Sequence, residues 1–257
     1  MNLSKRSKLI GKGFETNNCG KCFIVDYKSA RDVTVVFFEP LYTLKCEMSN
    51  LRKGEVYNPF YPKVYGKGYV GVGKYNSKTH TGLYNIWKGV LQRVYTTRHP
   101  SYMKTEVCDE WHNFQNFAEW CYNQKFFNTK DIKGNSYHLD KDILNNGIKI
   151  YSPETCCFVP HEINGLLIMY NMVNKVSELP LGVKVEPPKK GGNVRYSAKL
   201  SIGSGKNKYL GYFNTPEDAF IAYKKARKIY VREVAEKWKG LVDDKVYEAL
   251  MSWELLE

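Results

Sequence analysis

Arg195-Tyr196-Ser197-Ala198-Lys199-Leu200-Ser201-Ile202 alternates polar and apolar side chains without a break. A strand places successive side chains on opposite faces, so this period predicts Tyr196, Ala198, Leu200 and Ile202 against a core. Arg195, Ser197, Lys199 and Ser201 then occupy the solvent face. Gly203-Ser204-Gly205-Lys206-Asn207 turns the chain. Lys208-Tyr209-Leu210-Gly211-Tyr212-Phe213 returns as a further strand. Thr215-Pro216-Glu217-Asp218 opens a helix: a hydroxyl cap, a proline where no hydrogen bond is lost, and acids at the positive helix end. Ala219, Ala222, Tyr223, Ala226, Ile229 and Tyr230 form its apolar stripe, and the small residues allow close approach to the strands. Lys224, Lys225, Lys228 and Arg232 lie on the other face. Residues 193–238 thus read as three strands packed on one helix, leaving a basic, hydroxylic sheet face free.

Upstream, Leu179-Pro180-Leu181-Gly182 through Glu186-Pro187-Pro188-Lys189-Lys190-Gly191-Gly192 reads as a linker. In the middle of the chain, Tyr84, Trp87, Val90, Leu91 and Val94 recur at helical spacing, with Lys88 and Arg93 off that face. Trp111, Phe114, Phe117, Ala118 and Cys121 repeat the pattern. Aromatic stripes of this kind predict core packing rather than base stacking. Ile148–Tyr151 reads as a strand after the Asn145-Asn146-Gly147 turn, Ser152-Pro153-Glu154 as a tight turn or helix start, and 160–174 as a helix. From Gly13 to Gly73, Cys22–Tyr27 and Val33–Phe38 are rich in β-branched and aromatic residues, separated by turns. The expected fold class is α+β. It comprises a small β-rich domain at 1–74, a central domain of helices and short strands at 75–178 (ββα with flanking helices by the resemblance given below), a linker at 179–192, and the sheet-on-helix domain with a terminal helix at 193–257.

Lys and Arg (39) exceed Asp and Glu (26), a formal charge of +13 over 257 residues. A chain this basic is expected beside a polyanion, because neutralising phosphates releases condensed counterions. Double-stranded DNA is the expected partner and a monomer the expected state. No apolar run approaches the ~20 residues that span a bilayer, and no signal peptide is apparent. The seven cysteines, odd in number and irregular in position, do not suggest a secreted disulfide framework, and a cytoplasmic location is expected. Cys19-Gly-Lys-Cys22 has metal-ligand spacing but no second pair to complete a zinc site. Cys19, Cys22, Cys156 and Cys157 therefore read as structural thiols.

The pattern Arg195–Ile202, Lys208–Phe213, Thr215–Ala219 and Ala222-Tyr223 resembles the ethylene-response-factor (Apetala-type) DNA-binding domain, which inserts its sheet into the major groove. Three middle stretches resemble the HNH, or His-Me finger, endonucleases of bacteriophages: Tyr84–Tyr95, Val107–Phe117, and Leu139-Asp140-Lys141-Asp142 with Tyr151-Ser152-Pro153-Glu154-Thr155-Cys156. Together the resemblances imply a homing-type endonuclease that nicks or cleaves DNA with one divalent ion, Mg²⁺ or Mn²⁺. Asp140 matches the metal-binding acid that precedes the family's histidine. Lys141 stands at the histidine position, and Thr155 where the helix often supplies an asparagine. In this reading Asp140 and Asp142 hold the metal, with His138, Lys141 and His161 as further catalytic candidates. Arg93 clamps phosphate, while Arg195, Lys199, Lys206 and Lys208 read the site. The same parts without chemistry would make a DNA-binding regulator or decoy.

Overall fold

The computed structural model describes residues 8–144, 147–168, 179–188, 193–203 and 205–255, apart from the side chain of Ser101. Asn145-Asn146 of the expected turn and 169–174 of the expected helix lie outside the described residues, as does 189–192 of the expected linker. The chain is a mixed α and β protein with several small sheets, and it forms two compact units, 1–121 and 122–257.

In the first unit β1 (Gly13–Glu15), β2 (Lys21–Ser29), β3 (Asp32–Phe38) and β4 (Leu41–Cys46) form an antiparallel meander in chain order. Its β-branched and aromatic side chains alternate inward, so Ile24, Val33, Val35 and Phe37 are buried. Helix α1 (Met48–Arg52) adds Met48 and Leu51 to that core. Cys19 and Cys22 are buried there too. Burial raises both thiols, Cys22 to about 11.

Helix α2 (Thr81–Tyr95) buries Leu83, Trp87, Val90 and Leu91, and α3 (Phe114–Tyr122) buries Phe114, Phe117, Ala118 and Cys121. The aromatic stripes are core, as their spacing predicts. Trp87 Nε1 donates to the Trp111 carbonyl at 2.7 Å, and the Trp87 and Phe114 rings pack at 5.4 Å. A short strand, β5 (Glu106–Val107), lies between the two helices in the chain. The expected boundary at 74/75 falls inside this unit.

In the second unit β6 (His138–Asp140) pairs antiparallel with β8 (Cys157–Val159), and the short strand β7 (Ile150–Tyr151) lies between them in the chain. Helix α4 (His161–Ile168) follows. A three-stranded antiparallel sheet then runs β11 (Asn207–Phe213), β10 (Arg195–Ser201), β9 (Val183–Glu186). Helices α5 (Pro216–Lys237) and α6 (Asp244–Ser252) complete the unit. The expected linker therefore contains the sheet's third strand, β9, which pairs Val183 with Ala198 and Val185 with Tyr196. Pro180 and Gly182 make the turn into this strand. Gly182 has φ +78°, and a Cβ there would lie 2.3 Å from the Tyr223 ring, so only glycine lets the turn seat against α5.

Helix α5 starts as its sequence predicts. Thr215 Oγ1 accepts from the Asp218 amide at 3.1 Å, and Pro216 occupies the first turn. Its buried stripe is Ala219, Tyr223, Arg227, Val231, Val234 and Ala235, whereas Ile229, expected inside, is exposed. Steps of four set the stripe, and Ile229 falls two residues off it, on the far side of the helix.

The two ends of α5 serve different cores. The first packs Ala219 on Val183 and Ala198, with Tyr196, Leu210 and Phe213 around them. The second packs Val231, Val234, Ala235 and Trp238 with Ile163, Leu166 and Leu167 of α4, Val159 of β8, and Val246 and Leu250 of α6. At ~1.5 Å per residue, 22 residues span roughly 33 Å, enough to reach both. Between the cores the Arg227 guanidinium donates to the Leu166 carbonyl. Among the described residues no helix is long and apolar enough to cross a membrane.

Candidate functional site

The strand–loop–strand–helix segment β6, β8 and α4 carries the first group of expected site residues. Asp140 ends β6 opposite Cys157 and turns inward. Its Oδ1 accepts the Asp142 amide at 2.8 Å and the Ile143 amide at 2.9 Å, closing a tight turn. Burial, aided by the nearby Asp142 charge, pushes its carboxyl up to about 6 against the lowering effect of those two amides and of Lys141. Lys141, also buried, meets Asp142 Oδ1 at 2.5 Å, with its ammonium 5.7 Å from the Tyr151 ring centroid.

Thr155 is not on the helix where the resemblance puts it. It lies in the turn before β8, buried, with Oγ1 donating to the Ile150 carbonyl at 2.7 Å and accepting from the Ser152 amide at 3.1 Å. Both hydrogen bonds staple this loop to itself. The asparagine on α4 is Asn164.

Divalent Mg²⁺ or Mn²⁺ needs carboxylate oxygens with free lone pairs. Asp140 Oδ1 is committed to two amides, and Asp142 Oδ1 already meets a lysine ammonium. An ion held by this pair would therefore take the second oxygen, Oδ2, of each carboxylate. Cys156 and Cys157, buried beside this turn, are neutral: burial raises Cys156 to about 12 and Cys157 well above its usual value.

His138 and His161 are brought together instead. One opens β6, the other opens α4, and their ring centroids lie 5.4 Å apart at 58°. Both residues are exposed. Of the five expected catalytic residues, these two present titratable groups to solvent side by side, while Lys141 and Asp142 neutralise each other.

The second group lies on the β9–β11 sheet. Residues directly opposite one another in an antiparallel pair share a face. Arg195 opposes Glu186. Ser197 opposes Lys184 and Tyr212. Lys199 opposes Tyr209. The face away from α5 therefore carries Lys184, Arg195 and Lys199 together with two tyrosines. Arg195 Cζ sits 5.2 Å from the Tyr212 ring centroid, and Tyr209 and Tyr212 lie 5.4 Å apart. Partial desolvation and a hydrogen bond with Tyr212 raise the Tyr209 phenol to about 12, so it stays neutral.

Two expectations for this face change. Ser197 is fully buried, its hydroxyl donating to Glu186 Oε1 at 2.6 Å, so it is not a free donor for phosphate. Lys208 opposes the buried Leu200 and thus belongs to the helix side of the sheet. Lys206 is exposed in the β10–β11 turn. Arg93 lies on α2 in the first unit, half-buried, 5.9 Å from the Tyr102 ring centroid. Lys184, Tyr209 and Tyr212 are additions to the face. Lys184 was hidden in an apparent linker, and strand alternation alone assigns the two tyrosines to opposite faces.

Comparison with protein-family models, with curated proteins and with solved structures finds no significant match for this chain.

Proposed function

We propose that the protein binds nucleic acid, with double-stranded DNA the expected partner, through the outer face of the β9–β11 sheet. The observation that carries this reading is the projection of Lys184, Arg195 and Lys199 from one sheet face whose other side is sealed by α5. A net charge of +13 gives the whole chain attraction for a polyanion, and three cations fixed on strands give that attraction an address. The test is fluorescence anisotropy with a labelled duplex oligonucleotide over a range of salt. Affinity should fall with salt, and Arg195→Glu with Lys199→Glu should flatten the log–log slope by about two, near 0.9 per lost phosphate contact. An unchanged slope overturns the assignment.

A second reading rests on the apposed His138 and His161. Two imidazoles at the mouth of a strand–loop–strand–helix segment can act as base and acid in phosphodiester hydrolysis: one takes the proton of the attacking water, the other supplies one to the leaving oxygen. Supercoiled plasmid incubated with Mg²⁺ or Mn²⁺ tests it. Nicking that disappears in His138→Ala and His161→Ala, yet persists in Asp140→Asn, supports this centre. No nicking by the wild-type chain leaves the binding role alone, that of a regulator or decoy.

A further inference from the structure

Tyr209 and Tyr212 are three positions apart, an odd offset that places side chains on opposite faces of a regular strand. Here they share one face. Ala198 pairs with Gly211 and Lys199 with Tyr209, so Leu210 is an extra residue in β11. A bulge of this kind re-aims the side chains beyond it. Leu210 drops toward the helix-side core, and Gly211 takes φ +128°, a conformation side-chain-bearing residues rarely adopt. The bulge thus brings a second aromatic ring onto the cationic face.

The rings it assembles are open to solvent. Tyr209 is 48% exposed and Tyr212 56%, and they meet edge to face with their planes at 69°. Arg195 lies over Tyr212, and Lys199 stands opposite Tyr209. The acid on this face, Glu186, is engaged by the Ser197 hydroxyl.

Intact duplex DNA hides the faces of its bases and offers their edges, which amide and guanidinium side chains read best. Exposed rings flanked by cations suit the opposite case, bases whose faces are uncovered while their phosphates meet lysine and arginine. We propose that Tyr209 and Tyr212 form a stacking platform for unpaired nucleobases, so that this face prefers single-stranded DNA, or a strand opened from a duplex, to closed duplex. The proposal rests on the nucleic-acid reading above and specifies its ligand.

The full chain is titrated by fluorescence anisotropy at one salt concentration with labelled oligothymidine, a matched duplex, and an abasic strand of equal length. The single strand should bind more tightly than the duplex or the abasic strand. Tyr209→Leu and Tyr212→Leu should each weaken single-strand binding by about 5- to 150-fold, while the Phe variants retain it. The Leu variants should leave abasic-strand binding unchanged. Both rings are half exposed, so circular dichroism should show the variants folded. Duplex binding as tight as single-strand binding, or Leu variants that bind the strand as wild type does, overturns the stacking proposal. If binding persists but responds to Arg195→Glu with Lys199→Glu and not to the tyrosines, the nucleic-acid reading stands and the stacking proposal alone fails. No binding to any strand overturns both.

Discussion

The turn at Asp140–Asp142 and the outer face of the β9–β11 sheet are both dense in charge, yet they use it in opposite ways. In the turn the charged side chains are engaged from within. Asp140 accepts two amides and Lys141 meets Asp142, with Lys141 itself buried. On the sheet, Lys184, Arg195 and Lys199 sit exposed on a backbone ladder that holds them in place, beside Tyr209, Tyr212 and a Glu186 already engaged by Ser197. A charge satisfied inside the fold has little left for a ligand, because its electrostatic interaction is already spent on neighbours. Charge density in sequence thus marks both closed turns and open faces, and burial and partners tell them apart.

Substitutions can break this contrast, beginning with the largest expected effect. Gly182→Ala forces a side chain into the Tyr223 ring at a left-handed backbone position. It should cost roughly 2–4 kcal/mol of stability in chemical denaturation and weaken nucleic-acid binding, because the turn seats the sheet on α5. A loss below ~1 kcal/mol would show that this turn does not hold the face in place.

Asp140→Asn tests the closed turn. Its carboxyl is raised from an ordinary value near 3.8 to about 6, so the folded state prefers the protonated form. That preference stabilises the fold below pH 4 and is lost as pH rises through about 6. Asparagine keeps the Oδ1 acceptor without ionising. The variant should therefore be more stable than wild type above pH 7, by at most roughly 3 kcal/mol, with no gain below pH 4. Equal or lower stability at pH 8 would mean the carboxylate has a partner that this account lacks.

The smallest effect belongs to the helix cap. Thr215→Ala removes the acceptor for the Asp218 amide and should lower stability by ~1 kcal/mol in thermal unfolding, leaving plasmid nicking, where present, unchanged. A silent substitution would mean that the start of α5 is held by the sheet rather than by its cap.

The strongest local patterns were readable in sequence. Alternation in Arg195–Ile202, the Thr215-Pro216 helix start and the aromatic stripes at Trp87 and Trp111 each follow from a period or a cap that needs no distant partner. What escaped depends on tertiary pairing. Val183–Glu186 is bracketed by Pro and Gly and reads as a linker until β10 supplies its ladder. The bulge at Leu210 shows only in the register, and without it Tyr209 and Tyr212 fall on opposite faces. Arg227 takes the buried position between the two cores that α5 serves, where a polar residue was not expected, and Ile229 falls two residues off the step-of-four stripe. At the site, His138 and His161 were both named from the sequence, but not their apposition. Only the β6–β8 pairing and the immediate start of α4 bring them together.

The most direct test is an amide chemical-shift map of the isotope-labelled chain titrated with single-stranded oligothymidine. Perturbations should concentrate at Lys184, Arg195, Lys199, Tyr209 and Tyr212, with the Asp140–Ile143 amides unmoved. Perturbations centred on Asp140–Ile143, with the sheet silent, would contradict the assignment of binding to the sheet face.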